Sequence, residues 1–403
     1  MNREHVKANS QAVLFVAVDL IPGQTQVAAR QFQSSNIALA VDCSGSMSGD
    51  KFDQAIEAAC LLVRSLSPSD WVSVISFESK VRVVVPPTQA SDASSIENSI
   101  RRISLGSETD LYGGIEKAYE EVCKMSASPG IISRIIVLTD GQANKGRTSD
   151  ADLVAICDQI RQYGITVTTL GMGGDYNERL LTQMAQVGGG LWHHVSDPYN
   201  LPQIFQEQVT EMSRTVVRNP QLSVSVMPNA QFVDIYSVRP MLTRLERIDT
   251  TRNTCTIPLR DILVGEEQNL VFRVRFPPSP PGRYPLLRAD LGRQSQEVYV
   301  NATDDALQYS RETNPYPTVL MRASEGTMIL QKGLEGDTAA LKQAETALRT
   351  IQSDPNAQTV LKQSRTADDT VTRLKEGIDA AKTRVLTESE RKAIKERTTI
   401  RRR

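Results

Sequence analysis

No stretch of this chain is both long and apolar enough to span a bilayer. Its first apolar run, AVLFVAVDLI, is interrupted by Asp19, is rich in β-branched residues and has no small-residue cleavage site behind it, so it does not read as a secretory segment. Cysteine is sparse and odd in number: Cys43, Cys60, Cys123, Cys157 and Cys255 show no paired spacing that would frame disulfides or a zinc site. Four of them fall in segments that read as buried strand or amphipathic helix, where a thiol is a small hydrophobe. An excess of charge is missing too. Lys and Arg number 46 against 47 Asp and Glu, a net charge of −1, so no overall field steers the molecule to nucleic acid or an anionic membrane. The expectation is a cytoplasmic protein with no membrane span and no nucleic-acid partner.

What remains is ordinary globular composition, 40% hydrophobic and 23% charged, over 403 residues, enough for two or three domains. NIALAVDC (36–43) is an apolar run that stops at a Ser/Gly loop, and residues 50–66 carry Phe52, Ile56, Ala59, Leu62, Val63 and Leu66 at helical spacing. WVSVISF (71–77) and KVRVVVPP (80–87) read as a hairpin, followed by helices at 91–103 and 112–125. The strands SRIIVLTD (133–140), ITVTTLGMG (165–173) and LWHHV (191–195) alternate with helices at 149–163, 176–187 and 199–214. Such alternation predicts an α/β Rossmann-like, doubly wound sheet in the order 3-2-1-4-5-6, with the 80–87 strand antiparallel at one edge.

Elsewhere the pattern changes. Residues 216–302 contain short alternating runs such as QLSVSVM, QFVDIYSV and NLVFRVRF, separated by Pro, Gly and Asn, which predicts an all-β sandwich. The early strand in residues 1–35 has no place in the six-strand order, and an unpaired strand so apolar would be an aggregation edge. It is expected to complete the sandwich, making the α/β unit (36–215) an insertion. Residues 303–390 form a C-terminal helical region. Leu341, Ala344, Leu348 and Ile351 make one stripe, and Val371, Leu374, Ile378, Ala381 and Val385 make another beyond Asp354-Pro355-Asn356, which predicts a helical hairpin. Residues 391–403 carry seven Lys or Arg against one Glu without a hydrophobic period, and are expected to be a basic, flexible tail.

The chemistry gathers in the α/β unit. Asp42, Ser44 and Ser46 stand in the loop V-D-C-S-G-S-M, and Asp140 ends the strand IIVLTD. In the 3-2-1-4-5-6 order these two strands are neighbours at the switch point, where such sheets bind ligands. Two carboxylates and two hydroxyls therefore meet at the top of an apolar sheet. Bare, the carboxylates would repel. A hard cation removes the conflict, and a set of few carboxylates plus neutral hydroxyls suits Mg²⁺ (or Mn²⁺) with an open position for an anionic oxygen. Read separately, the serines could simply cap the helix at 50–66 and Asp140 a turn.

At these residues the chain resembles the von Willebrand factor A family. D-C-S-G-S, the Thr of S-E-T-D-L-Y-G-G-I and the Asp of L-T-D-G match its three motif segments in order, over residues 36–215. The resemblance implies a metal-ion-dependent adhesion site in which Asp42, Ser44, Ser46, Thr109 and Asp140 hold the cation directly or through water. It further implies that a protein partner presenting an Asp or Glu completes the coordination. Cytoplasmic bacterial members resemble adaptors for signalling kinases or for MoxR-type AAA ATPases.

Other features read more plainly. Adjacent His193 and His194 face opposite sides of a strand, and the glycines around Gly171-Met172-Gly173-Gly174 follow the wrong strand for a dinucleotide fingerprint. Thr398 and Thr399, flanked by arginines, are candidate phosphorylation sites for a Ser/Thr kinase, to be read by a phosphothreonine-reading module. No nucleophile elbow or Ser-His-Asp order is present. The sequence therefore points to a non-enzymatic, metal-dependent interaction module or scaffold in intracellular signalling or complex assembly. A Mg²⁺-dependent hydrolase using the same site and a surface adhesin are the alternatives.

Overall fold

The computed structural model describes residues 1–22, 34–126, 128, 130–245, 253–383 and 386–400. Strands β1 (His5–Lys7) and β2 (Ala12–Leu20) open the chain. The α/β unit follows as β3 (Ser34–Asp42), α1 (Asp50–Ser65), β4 (Trp71–Phe77), β5 (Val81–Gln89), α2 (Ala93–Ile100), α3 (Leu111–Ser126), β6 (Ile131–Thr139), α4 (Asp150–Gln162), β7 (Thr166–Met172), α5 (Glu178–Val187), β8 (Gly189–Val195) and α6 (Leu201–Ser213). Its sheet runs β5-β4-β3-β6-β7-β8, all parallel except the antiparallel edge strand β5, the doubly wound arrangement expected from the alternation.

Every residue of β6 and β7 is buried, as parallel strands covered on both faces must be. The pleat of β3 divides its side chains between two cores. Ile37, Leu39 and Val41 pack with α1 and α6, while the smaller Ala38 and Ala40 face α3. The glycine pair that opens β8 answers a steric demand. A Cβ on Gly190 would stand 2.2 Å from the Val167 carbonyl oxygen, and one on Gly189, whose φ is +72°, would overlap the Arg161 guanidinium. Arg161 in turn donates to the Leu259 carbonyl of the flanking β-domain.

That domain comprises β9 (Thr215–Val217), β10 (Gln221–Val226), β11 (Gln231–Arg239), β12 (Thr243–Arg244), β13 (Thr254–Pro258), β14 (Ile262–Leu263), β15 (Gln268–Phe276), β16 (Gly282–Leu291) and β17 (Gln294–Thr303). One sheet runs β1-β17-β16-β10-β13 and the other β12-β11-β15-β2. β2 lies antiparallel to β15 from Ala12 opposite Phe276 to Leu20 opposite Gln268, and it sends Leu14 and Val16 into the core between the sheets. The chain thus begins the sandwich, makes the α/β unit, and returns to finish the sandwich. β1 is three residues long, too short to leave a periodic signal.

The helical end holds α7 (Ala306–Tyr309), α8 (Tyr316–Leu334), α9 (Thr338–Ser353), α10 (Pro355–Gln363), α11 (Arg365–Thr383) and α12 (Glu388–Thr399). It is larger than the expected hairpin. The stripes of α9 and α11 do share a core, but α8 lies among them, and Tyr236 and Val271 of the sandwich close it. Burial on many sides of α8 hides its amphipathic period. Val385, the last position of the second stripe, lies outside the described residues.

The expected flexible tail is a docked helix as far as it is described. A capping box between Thr387 and Glu390 starts α12, and Ile400 bridges Met241. Its buried face is Lys392, Ile394, Glu396, Thr398 and Thr399, mostly polar residues, of which Lys392 and Glu396 find partners elsewhere in the fold, so no hydrophobic period announces it. Arg401, Arg402 and Arg403 lie outside the described residues.

Because Leu14 is fully buried between the two sheets, Leu14→Ala should lower stability by about 2–5 kcal/mol. Urea denaturation followed by circular dichroism measures it, and a loss below about 1 kcal/mol would mean that β2 contributes little to the sandwich core.

Candidate metal centre at the crest of the sheet

β3 and β6 are hydrogen-bonded neighbours, and their C-terminal ends deliver Asp42 and, one residue past β6, Asp140 to the same crevice. Asp42, Ser44, Thr109 and Asp140 are each at most 2% exposed, whereas Ser46 is open to solvent. The Asp42 carboxylate is held on both oxygens: Oδ1 accepts from the Ser44 amide at 2.8 Å and Oδ2 from the Thr139 hydroxyl at 2.5 Å. Burial pushes its pKa up to about 6; the bonds from Thr139 and Ser44 oppose that shift, and the nearby Asp140 charge adds to it.

The hydroxyls form a chain. Ser44 Oγ lies 3.0 Å from Ser46 Oγ, which lies 2.7 Å from Asp140 Oδ1. Thr109 arrives from the loop before α3. Its amide donates to Asn144 Oδ1 at 2.7 Å, and its carbonyl accepts from the amides of Asn144 and Lys145. A Cβ on Gly141 would stand 3.4 Å from Ser46 Oγ and 3.6 Å from Thr109 Oγ1, so both hydroxyls overlook that glycine. All five residues expected to act as ligands thus converge on one crevice. Cys43, between Asp42 and Ser44, turns inward, donates to the Val41 carbonyl and has its thiol pushed up to about 12 by burial.

The donor set fits a hard divalent cation. It is all oxygen, and neighbouring vertices of an octahedron with Mg–O bonds near 2.1 Å are about 3 Å apart, close to the hydroxyl and carboxylate separations here. Among the described residues, this crevice included, no three His, Cys, Asp or Glu are grouped to hold a metal ion, so hydroxyl oxygens complete the donor set here.

Four contributors escaped sequence reasoning. Thr139 and Asn144 orient the first set. Glu78, nearly buried, accepts from Ser79 and pairs with Arg82 at 3.3 Å, while its backbone carbonyl accepts from the Asp110 amide. Lys51 is the fourth: its ammonium pairs with Asp140 Oδ2 at 2.5 Å and reaches the Ser46 carbonyl at 3.5 Å. A Lys in the first turn of a helix carries no signal by itself.

His193 and His194 do face opposite sides of β8. His194 Nδ1 lies 2.8 Å from the Tyr176 hydroxyl and its Nε2 lies 3.1 Å from Ser389 Oγ, whereas His193 meets Gln208 and Glu396. Gly171 is glycine because a Cβ there would enter the Tyr176 ring. The candidate phosphorylation sites are corrected by the structure. Thr398 and Thr399 are buried and their hydroxyls donate to the Lys395 carbonyl at 3.0 and 2.7 Å, so a kinase could reach them only by unfolding α12.

Residues 36–207 match the sequence model of the von Willebrand factor type A domain. This part of the chain is a von Willebrand factor type A domain. The uncharacterized Escherichia coli (strain K12) protein YfbK is 25% identical over 246 residues, 60% of this chain and 42% of that protein. An uncharacterized Synechocystis protein is 25% identical over 253 residues, 62% of this chain and 59% of its own. The chain therefore spans about half the length of these relatives. A von Willebrand factor type A structure from Catenulispora acidiphila superposes with a TM-score of 0.73 at 20% identity, covering 93% of this chain and 88% of that one, so the likeness of fold extends well beyond the A domain.

In this A domain the Lys51 ammonium holds a place beside Asp140 that a cation bound there would find already positive. Removing it should strengthen divalent binding. Lys51→Met is expected to raise Mn²⁺ affinity about fivefold or more, measured by isothermal titration calorimetry. Weaker binding would mean that Lys51 orients Asp140 for the metal rather than competing with it.

Proposed function

We propose that the chain is a metal-dependent protein-interaction module, a scaffold for intracellular signalling or complex assembly. Asp42, Ser44, Ser46, Thr109 and Asp140 hold Mg²⁺ or Mn²⁺, and a carboxylate of a protein partner completes the coordination. The observation that carries this reading is the convergence of two carboxylates and three hydroxyls on one crevice whose outermost donor, Ser46, is exposed while the rest are buried. A cation held by so few charged ligands stays electrophilic and attracts an anionic oxygen from outside.

The residues themselves do the positioning. Thr139 and the Ser44 amide fix the Asp42 carboxylate, and Asn144 fixes the Thr109 backbone. The walls around them are the apolar cores on either side of the sheet. Under this reading both crevice carboxylates serve as ligands, and neither is spare to act as the general base that a hydrolytic reading needs.

Mg²⁺ at a hundredfold excess over its Kd should stabilise the metal-binding domain by about 2.7 kcal/mol and raise its Tm by about 5 °C or more. Asp42→Ala should abolish that rise. Equal shifts in variant and wild type would remove Asp42 from the ligand set. Partner capture compared in Mg²⁺ and in chelator, read by mass spectrometry, tests the interaction itself: equal recovery in both would refute the metal-dependent role.

A further inference from the structure

A cleft of about 750 Å³ opens between α5, α8 and α12, with the β12 segment at its side. Gln142 lines it, only two residues beyond Asp140, and two residues of chain span at most about 7 Å. The path between them is narrow on the other side as well. A Cβ on Gly173 would stand 3.4 Å from the Lys51 ammonium, and one on Gly174 would stand 3.8 Å from the Ser389 amide in the first turn of α12. The candidate metal crevice, Lys51, this glycine pair and α12 are therefore contiguous, and the cleft continues from them.

Its walls are basic in a chain whose net charge is −1. Among the described residues that line it, six are Lys or Arg and three are Glu. Three of the cations are committed. Lys392 donates to the carbonyls of Gly174 and Tyr176 and lies over the Tyr176 ring; Lys395 pairs with Glu178 and Glu335; Arg244 pairs with Asp234. The other three, Arg179, Lys332 and Arg391, come from α5, α8 and α12, and among the described residues their side chains have no hydrogen-bond or ion-pair partner. Three unpaired cations lining a cleft beside a site suited to a carboxylate leave its walls with a net positive charge.

We infer that this cleft is a second docking site for the partner, taking an acidic peptide segment next to the carboxylate that meets the metal. The inference rests on the metal-dependent reading above for the position of that carboxylate. The contacts of Lys392 and Lys395 hold α12 in place, and the three uncommitted cations supply the attraction. A cleft of this volume accommodates several side chains. Charge complementarity of this kind sets register and encounter rate and weakens with salt.

The test uses the full chain and a fluorescein-labelled hexaglutamate peptide, with binding read by fluorescence anisotropy at low ionic strength in Mg²⁺ and in EDTA. The variants are Asp42→Ala, the triple reversal Arg179→Glu, Lys332→Glu, Arg391→Glu, and the same three positions changed to Gln. In Mg²⁺ the reversal should weaken binding at least tenfold and the Gln variant by less, while both keep the wild-type melting shift on adding Mg²⁺. Binding that is Mg²⁺-dependent yet unchanged by either triple variant would overturn the cleft and leave the metal reading standing. Binding that is equal in Mg²⁺ and EDTA, unaffected by Asp42→Ala and lost in the reversal would support the cleft and sink the metal reading. A single-stranded oligonucleotide of equal charge displacing the peptide at lower concentration would overturn the assignment to an acidic peptide.

Discussion

Two buried carboxylates at the ends of neighbouring parallel strands set the terms for the rest of this molecule. The register of β3 on β6 leaves no freedom in where Asp42 and Asp140 emerge, and the apolar layers beneath them leave little water to screen their charges. The surroundings answer that repulsion from several directions. Thr139 and the Ser44 amide donate to Asp42, Ser46 donates to Asp140, and Lys51 places a positive charge on the other Asp140 oxygen. Each group that relieves the carboxylates also fixes them, so the crevice is pre-organised before any ligand arrives. Pre-organisation of this kind lowers the ordering cost of binding.

The flanking domains turn that crevice into a surface with a fixed surround. At the base of the sheet, Arg134 pairs with Glu211 at 2.9 Å, and Arg260 reaches the same carboxylate from the sandwich side at 3.5 Å. Burial works to raise the Glu211 pKa, but Arg260 and Arg134 hold it below the usual carboxylate value. Thr166 and Asn219 both donate to Asp261, and Arg161 crosses Gly189 to Leu259. Buried polar pairs contribute little net stability but penalise misdocking strongly. They define how the A domain sits on the sandwich, and α12 then extends the structure up to the crest beside Lys51.

The α/β fold was legible because its signals are local and repeated. Fully apolar parallel strands separated by amphipathic helices have few other solutions, and the spacing of Asp42, Ser44 and Ser46 on a loop after such a strand points to the crevice without reference to anything distant. The early strand Ala12–Leu20 was legible by exclusion, having no place in the six-strand order. The C-terminal region was harder to read. α8 is buried on many sides and so lacks a stripe, and α12 buries Lys392 and Glu396, residues that sequence patterning assigns to solvent.

The sequence by itself thus determined the element order and topology of the six-stranded sheet and which residues reach its crest, since these follow from periodicity and from which residue ends which strand. Only the tertiary structure decided that Lys51 neutralises Asp140, that Thr398 and Thr399 are sealed inside a docked helix, and that Arg179, Lys332 and Arg391 meet in one cleft. The physical reason is that burial of a charge depends on a partner, and these partners lie tens to hundreds of residues away: Asp140 is 89 positions from Lys51, and the Gly174 carbonyl that receives Lys392 is 218 positions from it. No local pattern in the chain encodes such a distance.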